Sequence, residues 1–397
     1  MKKLLLLGGS AQQVIAIETA KRLGYYTVLC DFLTDNPGQY IADKFYLIST
    51  TDKNAVLKVA MDEQIHGVLA YASDPAAPTA AYVAEKLNLP TNPYLSVETL
   101  CNKDQFRKFL MQNGFNAPAS EGYSSSEEAK KGVVKLRFPI IVKPVDSSGS
   151  KGVTVLNNMD LLDEAISFAF SFSRSHRIIA EEYIEKKHPY LIGGDIFVKD
   201  GKVILWGLLN CHRDNNANPL VPVGKSYPPE LDPSDLQSVK ETLQQMVDKL
   251  HIQFGAMNVE LVVDAQGNVW PIDIGPRNGG NMIPDLLGLI FDVDIVEMTV
   301  LAAMGEKWHS KVGEGANYYA THNLHSNKDG YFREIRIDPI LQKKTIRTCV
   351  YKQIGDKVEF FDNAAKALGI LFMRFESREE MQQHLNRIAE EIDIILD

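Results

Sequence analysis

Residues 4–7 are four consecutive leucines that stop at Gly8-Gly9-Ser10. The next segment, AQQVIAIETAKRLG, changes period. Val14, Ile17, Ala20 and Leu23 recur at helical spacing, and Gly24 stands where a helix C-cap belongs. TVLCD then reads as a strand ending at Asp31, and KFYLIS, a helical stretch over 53–64, and GVLAYA repeat the alternation. Strands alternating with helices bury both faces of a sheet, which constrains the start of the chain to a doubly wound parallel α/β unit. Its Gly-rich first turn lacks the GxGxxG spacing, which argues against a nicotinamide dinucleotide.

NLPTNPYLS carries two prolines and reads as a link. SVETLCNKDQFRKFLMQNG reads as one helix ending near Gly114, and a small α+β unit runs from Pro118 to Tyr183. From GGDIFVKDGKVILWGLL to NVELVVDAQGNVWPIDIGPR the pattern is antiparallel strands with Asp-Gly and Gln-Gly turns, interrupted by a helix over about 233–250. A helix follows near 292–305. Residues 316–397 alternate strands and turns and end in a helix, REEMQQHLNRIAEEI.

A chain of 397 residues fits two or three domains at about 150 residues each. Its 45% hydrophobic and 23% charged residues are ordinary for a soluble protein. A net charge of −9 gives no reason to expect nucleic acid as partner. Cys30, Cys101, Cys211 and Cys349 are scattered, without disulfide or zinc spacing, as in a reduced cytoplasmic protein. The start, MKKLLLLGGS, has too few apolar residues for a signal peptide, which needs about 7–15. No run of about 18 apolar residues predicts a membrane span.

The chemistry concentrates in four places. In IIVKPVDSSGSKGVTVL, Lys143 ends a buried strand, and Ser147, Ser148, Gly149, Ser150 and Gly152 lie in the loop before the next. Such a loop offers free backbone N–H groups to phosphate oxygens, and the lysine adds a positive charge. A plain hairpin with a snorkelling lysine fits the same residues. In IIAEEYIE an apolar strand runs into Glu181, Glu182, Tyr183 and Ile184, either offering backbone groups to a purine edge or ending in solvated acids. Strands MNVELVVD and VWPIDIGPR form a hairpin that sets Glu260 beside Asp273. Two such carboxylates repel unless a cation joins them, and Mg²⁺ is held by one or two carboxylates together with substrate phosphates; two acids on a solvated sheet face are the alternative. Arg277, in GPRNGGN, suits either a clamp on a transferring phosphoryl group or a salt bridge to one of those acids. THNLH places His322 and His325 three apart, on opposite faces of a strand, favouring structural or pocket roles over metal binding. The loop within LLNCHRDNNANPLVPVGKSYPP (208–229) is the one expected to touch substrate.

Taken in order, these motifs resemble the ATP-grasp superfamily of carboxylate–amine ligases, nearest to its carbamoyl-phosphate-synthase-like and amino-acid-ligase-like members. The resemblance covers nearly the whole chain and implies three regions: an N-terminal α/β unit over 1–98, an ATP-grasp fold over 99–310 with a lid at about 115–184, and a C-terminal α+β unit over 311–397. It implies that Lys103 and Lys143 hold ATP phosphates under the Ser147–Gly152 lid. Glu181, with backbone from Glu182 to Ile184, would hold adenine, and the ribose position falls near His188. Glu260 and Asp273 would bind Mg²⁺ (or Mn²⁺), and Arg277 would stabilise the transferred phosphoryl group. Relatives commonly carry E-x-N-x-R where this chain has D-I-G-P-R, so the number of metal ions stays open. The implied reaction joins a small carboxylate to an amine through an acyl phosphate. The alternatives are a purine-biosynthesis-type ATP-grasp enzyme, or a non-catalytic nucleotide-binding protein with a degenerate site. The resemblance implies small-molecule substrates, no membrane partner, and dimerisation through the C-terminal unit.

Overall fold

The structure, a computed structural model, describes residues 1–214, 219–308 and 311–397. Strands β1 (Lys3–Leu7), β2 (Tyr26–Asp31), β3 (Lys44–Leu47) and β4 (Gly67–Leu69) form a parallel sheet in the order β3-β2-β1-β4. The leucine run that opens the chain is its centre. Leu5 and Leu7 face one apolar cluster with Val56 and Val59. Leu4 and Leu6 face another, which contains Val296 and Val300 of the helix Ile295–Ala303. The first unit is thereby packed against a helix almost 300 residues later.

A second sheet, β5 (Ser120–Tyr123), β6 (Ile140–Pro144), β7 (Thr154–Leu156) and β8 (Ile178–Glu182), is antiparallel in the order β5-β8-β6-β7. The largest sheet has eight antiparallel strands: β9 (Leu191–Lys199), β10 (Lys202–Arg213), β11 (Pro222–Tyr227), β12 (Phe254–Val263), β13 (Val269–Gly275), β14 (Tyr318–Leu324), β16 (Thr345–Val350) and β18 (Gly369–Phe375), with β15 (Gly330–Ile337) and β17 (Lys357–Val358) outside it. Their order is β13-β12-β9-β10-β11-β14-β18-β16. The sheet thus runs without a break into strands from beyond residue 311. β15 and β17 join β19 (Ile392–Leu396) in a small third antiparallel sheet.

Three local expectations are corrected. The single helix before Gly114 is two, Tyr94–Cys101 and Lys103–Gln112. Asn102 breaks them apart: its backbone is extended, and its side chain accepts from the Gln105 amide at 3.1 Å as an N-cap. The residues after GPRNGGN form an additional helix, Ile283–Phe291, with Pro284 in its first turn, where a missing N–H costs nothing. The C-terminus is a strand rather than a helix. The helix stops at Glu391 and Ile392–Leu396 pairs with β15, because Ile392 and Ile394 alternate into the apolar cluster under it.

Candidate functional site

A cleft of about 1300 Å³ lies between the lid-like sheet, the large sheet and the loops of the first sheet. The turn of the β12–β13 hairpin fixes one wall. Asp264 accepts from the amides of Gln266 and Asn268, both at 2.9 Å, and Gly267 takes a positive φ of 84°. The turn sets the register as far as Leu261 opposite Pro271, and a bulge between Leu261 and Glu260 then skips Ile272 and puts Glu260 directly opposite Asp273. Asp273 keeps 41% of its side chain exposed and Glu260 28%. Desolvation pushes the Asp273 carboxyl up, yet Lys103, and then Lys143, Arg107 and Arg277, hold it below its ordinary value.

Lys103 is the first residue of its helix, which the Asn102 cap places at the cleft. Its Nζ stands 3.3 Å from Asp273 and donates to the carbonyl of Ser147 at 3.1 Å. Burial pulls its ammonium down, but Asp273 and Asp74 raise it on balance. Arg107, one turn on from Lys103, faces the same way. Sequence reading missed it, although the i,i+4 spacing was there to see. Arg107 is 1% exposed; its Nε donates to Glu181 at 2.9 Å and its Nη2 to the Ile272 carbonyl at 2.7 Å. It thereby ties the helix to β8 and to β13 beside Asp273.

Glu181 sits opposite Ile141 in the β6–β8 register, and Lys143 is its diagonal neighbour. Lys143 is 5% exposed and pairs with the Glu181 carboxylate. Burial, helped by the nearby Arg107 and Lys103 cations, lowers the Lys143 ammonium despite Glu181. Burial also pushes the Glu181 carboxyl up, but Arg107 and Lys143 together pull it to about 2. The Glu181 side chain is therefore committed to two cations. Glu182 turns to Arg137, accepting its amide at 2.9 Å. The amides of Glu182 and Tyr183 donate to the carbonyls of Ala119 and Pro139, both at 2.9 Å. Tyr183 and Ile184 line the cleft.

The Ser147–Gly152 loop joins β6 to β7 and overhangs the cleft. Gly149 and Gly152 have φ of 67° and 73°, and Ser150 accepts the same left-handed conformation at 60°. Ser150 Oγ donates to the Leu220 carbonyl at 2.8 Å, docking the loop on the opposite side. The expected substrate loop runs through here, but its tip, residues 215–218, lies outside the described residues. His188 is not brought to the cleft. Its Nε2 accepts the Val263 amide at 2.9 Å, its Nδ1 meets the Tyr190 carbonyl, and burial lowers its pKa.

Arg277 reaches the cleft, but its partner is neither hairpin acid. Its Nε donates to Asp74 at 2.7 Å, and Nη2 bonds the other oxygen of that carboxylate. Asp74 follows β4, at the carboxyl end of a parallel strand where α/β ligand sites form, and that position was the available signal. Gly275 makes the pair possible: a Cβ there would stand 2.3 Å from Asp74 Oδ1. His322 and His325 are not on opposite faces. The strand ends at Leu324, the chain turns, and the two rings come within 5.4 Å, with His325 Nε2 3.0 Å from Asp214.

No group of three or more His, Cys, Asp or Glu side chains placed to hold a metal occurs among the described residues. The Glu260–Asp273 pair alone fits a hard divalent cation whose remaining ligands are phosphate and water oxygens.

The ATP-grasp domain model matches residues 136–285. The chain is 31% identical over 285 residues to formate-dependent phosphoribosylglycinamide formyltransferase from Prochlorococcus marinus (strain NATL1A), covering 70% of this chain and 70% of that one. It is 29% identical over 189 residues to the protein of that name from Synechococcus sp. (strain CC9311), covering 46% of this chain and 48% of the other, so it spans about half of that relative's length. The fold superimposes on the L-amino acid ligase from Bacillus licheniformis with a TM-score of 0.81 at 19% identity, over 100% of this chain and 99% of that one. No helix among the described residues is long and apolar enough to cross a membrane.

Proposed function

Because the chain belongs to the ATP-grasp family, we propose that it is an ATP- and Mg²⁺-dependent ligase joining a small carboxylate to an amine through an acyl phosphate. One observation carries the reading: Lys103, Lys143, the paired acids Glu260 and Asp273, and Arg277 converge on one cleft under a Gly/Ser loop.

The two lysines neutralise the ATP phosphates, and the amides of the Ser147–Gly152 loop close over them. Adenine lies along the hinge. With the Glu182 and Tyr183 amides already bonded, the Ile184 amide is, among the described residues, the hinge N–H left to meet the purine edge. Glu260 and Asp273 hold the Mg²⁺ (or Mn²⁺), which supplies charge neutralisation at the phosphates. A carboxylate oxygen attacks the γ-phosphorus and ADP leaves; the amine then attacks the acyl carbon and phosphate leaves. Arg277 stabilises the phosphoryl group in transit, and lid closure shields the acyl phosphate from water. In this proposal residues 1–98 supply Asp74 and one rim, 99–310 with the lid at about 115–184 bind the nucleotide, and 311–397 close the far side. A homodimer through that last region belongs to the same proposal.

The test adds hydroxylamine to the chain with ATP, Mg²⁺ and a pool of small carboxylic acids. A hydroxamate should form together with ADP and phosphate, dependent on one acid of the pool. ADP without any hydroxamate would replace the ligase reading by an ATPase, and no nucleotide binding would replace it by a non-catalytic scaffold. A purine-biosynthesis-type enzyme is a second reading, favoured by the likeness to the phosphoribosylglycinamide formyltransferases. It requires formate and phosphoribosylglycinamide to be the productive pair in the same assay.

A further inference from the structure

The acids lining the cleft, Asp74, Glu181, Glu182, Glu260 and Asp273, all come from the lid hinge, from β12 and β13, or from the loop after β4. The neighbouring strands β10, β11 and β14 present a different surface: Cys211, His212, Arg213, Lys225 and His322, with no carboxylate among their described lining residues. Burial foremost holds the His212 imidazole down to about 4 and that of His322 to about 3, so both rings are neutral at pH 7.

Lys225 is 5% exposed. Its Nζ meets the Cys211 thiol at 2.7 Å, and among the described residues no carboxylate stands within ion-pair distance of it. Arg213 is its neighbour on the cleft wall. One Arg213 nitrogen, Nη1, is buried without a hydrogen-bond partner among the described residues, and Nη2 stands 4.0 Å from Glu260. A buried cation without an anion is costly, and such groups are retained where an anion arrives to meet them. A glycine leaves the Lys225 ammonium room to lie against bare backbone. A Cβ on Gly193 of β9 would stand 2.7 Å from Cys211 Sγ and 3.2 Å from Lys225 Nζ. Gly193 is in turn the register partner of Glu260. The ammonium, with no carboxylate partner among the described residues, therefore reaches toward Gly193 of β9, the strand next to the one that carries the proposed metal carboxylate.

We propose that Lys225 and Arg213 form an anion subsite for the second substrate, holding an oxyanion group of it, carboxylate or phosphate, against the bare backbone of Gly193. This rests on the ligase reading and narrows it: the co-substrate is an anionic molecule, and this wall of the cleft selects it.

The experiment titrates isotope-labelled acetate, labelled succinate and inorganic phosphate into the full chain, with and without ADP and Mg²⁺, and follows binding by NMR. Calorimetry measures ATP affinity on the same samples. At least one anion should bind, and Lys225→Met should weaken it roughly tenfold or more, the scale of a lost charge-assisted contact, while ATP affinity holds. Gly193→Ala should produce the same loss with the charge still present, and thermal unfolding of both variants checks that the fold survives. Binding of the organic acids identifies a carboxylate subsite; binding of phosphate alone identifies a phosphate subsite. The subsite is overturned if no anion binds a chain that binds ATP, or if Lys225→Met binds the anion as well as the unsubstituted protein does. Failure of the unsubstituted chain to bind ATP instead overturns the ligase reading, and the anion titration then decides the subsite by itself.

Discussion

Lys143 and Arg107 share one carboxylate, but their loss should have opposite consequences. Without Lys143, Glu181 keeps its two hydrogen bonds to Arg107, at 2.9 and 3.2 Å, so the fold stands and a phosphate contact goes. Lys143→Ala should weaken ATP binding by about one to two decades in calorimetry with little change in unfolding temperature; unchanged affinity would remove the lysine from the phosphate site. Without Arg107, a carboxylate 2% exposed loses its main partner, and breaking such a buried pair costs about 3–5 kcal/mol. Arg107→Met should therefore lower the unfolding temperature strongly. The pH dependence has a definite sign. The Glu181 carboxyl sits at about 2 in the folded chain against an ordinary 4.5, so its stabilisation is complete above about 4.5 and is lost as pH falls toward 2. Unfolding temperature measured across that window should fall steeply in the unsubstituted protein and more gently in Arg107→Met. An identical slope in both would show that the pair is not the source. Lys143 was legible because a lysine inside an apolar strand is conspicuous. Arg107 was not, because an arginine on an amphipathic helix looks like any surface arginine until β8 and β13 close over it.

At the scale of elements, apolar periodicity recovered the strands and most helices, because alternation is imposed by burial on one face. It failed where a single polar residue redirected the backbone. The stretch from Tyr94 to Gln112 has nearly continuous helical spacing, yet the Asn102 side chain competes for the Gln105 amide and starts a new helix. That break determines the direction in which Lys103 leaves the helix. Asn102→Ala should cost about 1 kcal/mol of stability, typical of a lost N-cap, and should also reduce ATP affinity by misplacing Lys103. A fall in unfolding temperature with ATP affinity intact would mean that the cap stabilises the helix without positioning the lysine. The final strand was misread for a related reason. IAEEIDIIL carries both periods, and only the open edge of β15, a partner some 60 residues earlier, decides between them.

For the whole molecule, the informative contact is the one between the beginning of the chain and the acid hairpin. Asp74, at the end of the first sheet, holds Arg277, which follows β13, and Gly275 leaves the gap through which they meet. No local pattern could have shown this, since the partners are 203 residues apart and the enabling residue has no side chain. The apolar packing of Leu4 and Leu6 against Val296 and Val300 makes the geometry durable, because it fixes the first sheet against the helix Ile295–Ala303, the second helix after the hairpin. The ion pair itself is the adjustable part: Arg277 is 13% exposed and Asp74 20%, both open to the cleft. If Asp74 aims Arg277 at the transferring phosphoryl group, then Asp74→Asn should lower the rate of hydroxamate formation while leaving ATP affinity and unfolding temperature nearly unchanged, since an interaction strengthened in the transition state appears in kcat. Gly275→Ala should reproduce the effect by a different route. It leaves both charges in the chain but sets a methyl group 2.3 Å from the present position of Asp74 Oδ1, so the carboxylate must swing off Arg277. Two chemically unrelated substitutions with one kinetic signature would identify the pair as the coupling between the first unit and the reaction. A full rate in either folded variant would leave Arg277 to act without its partner.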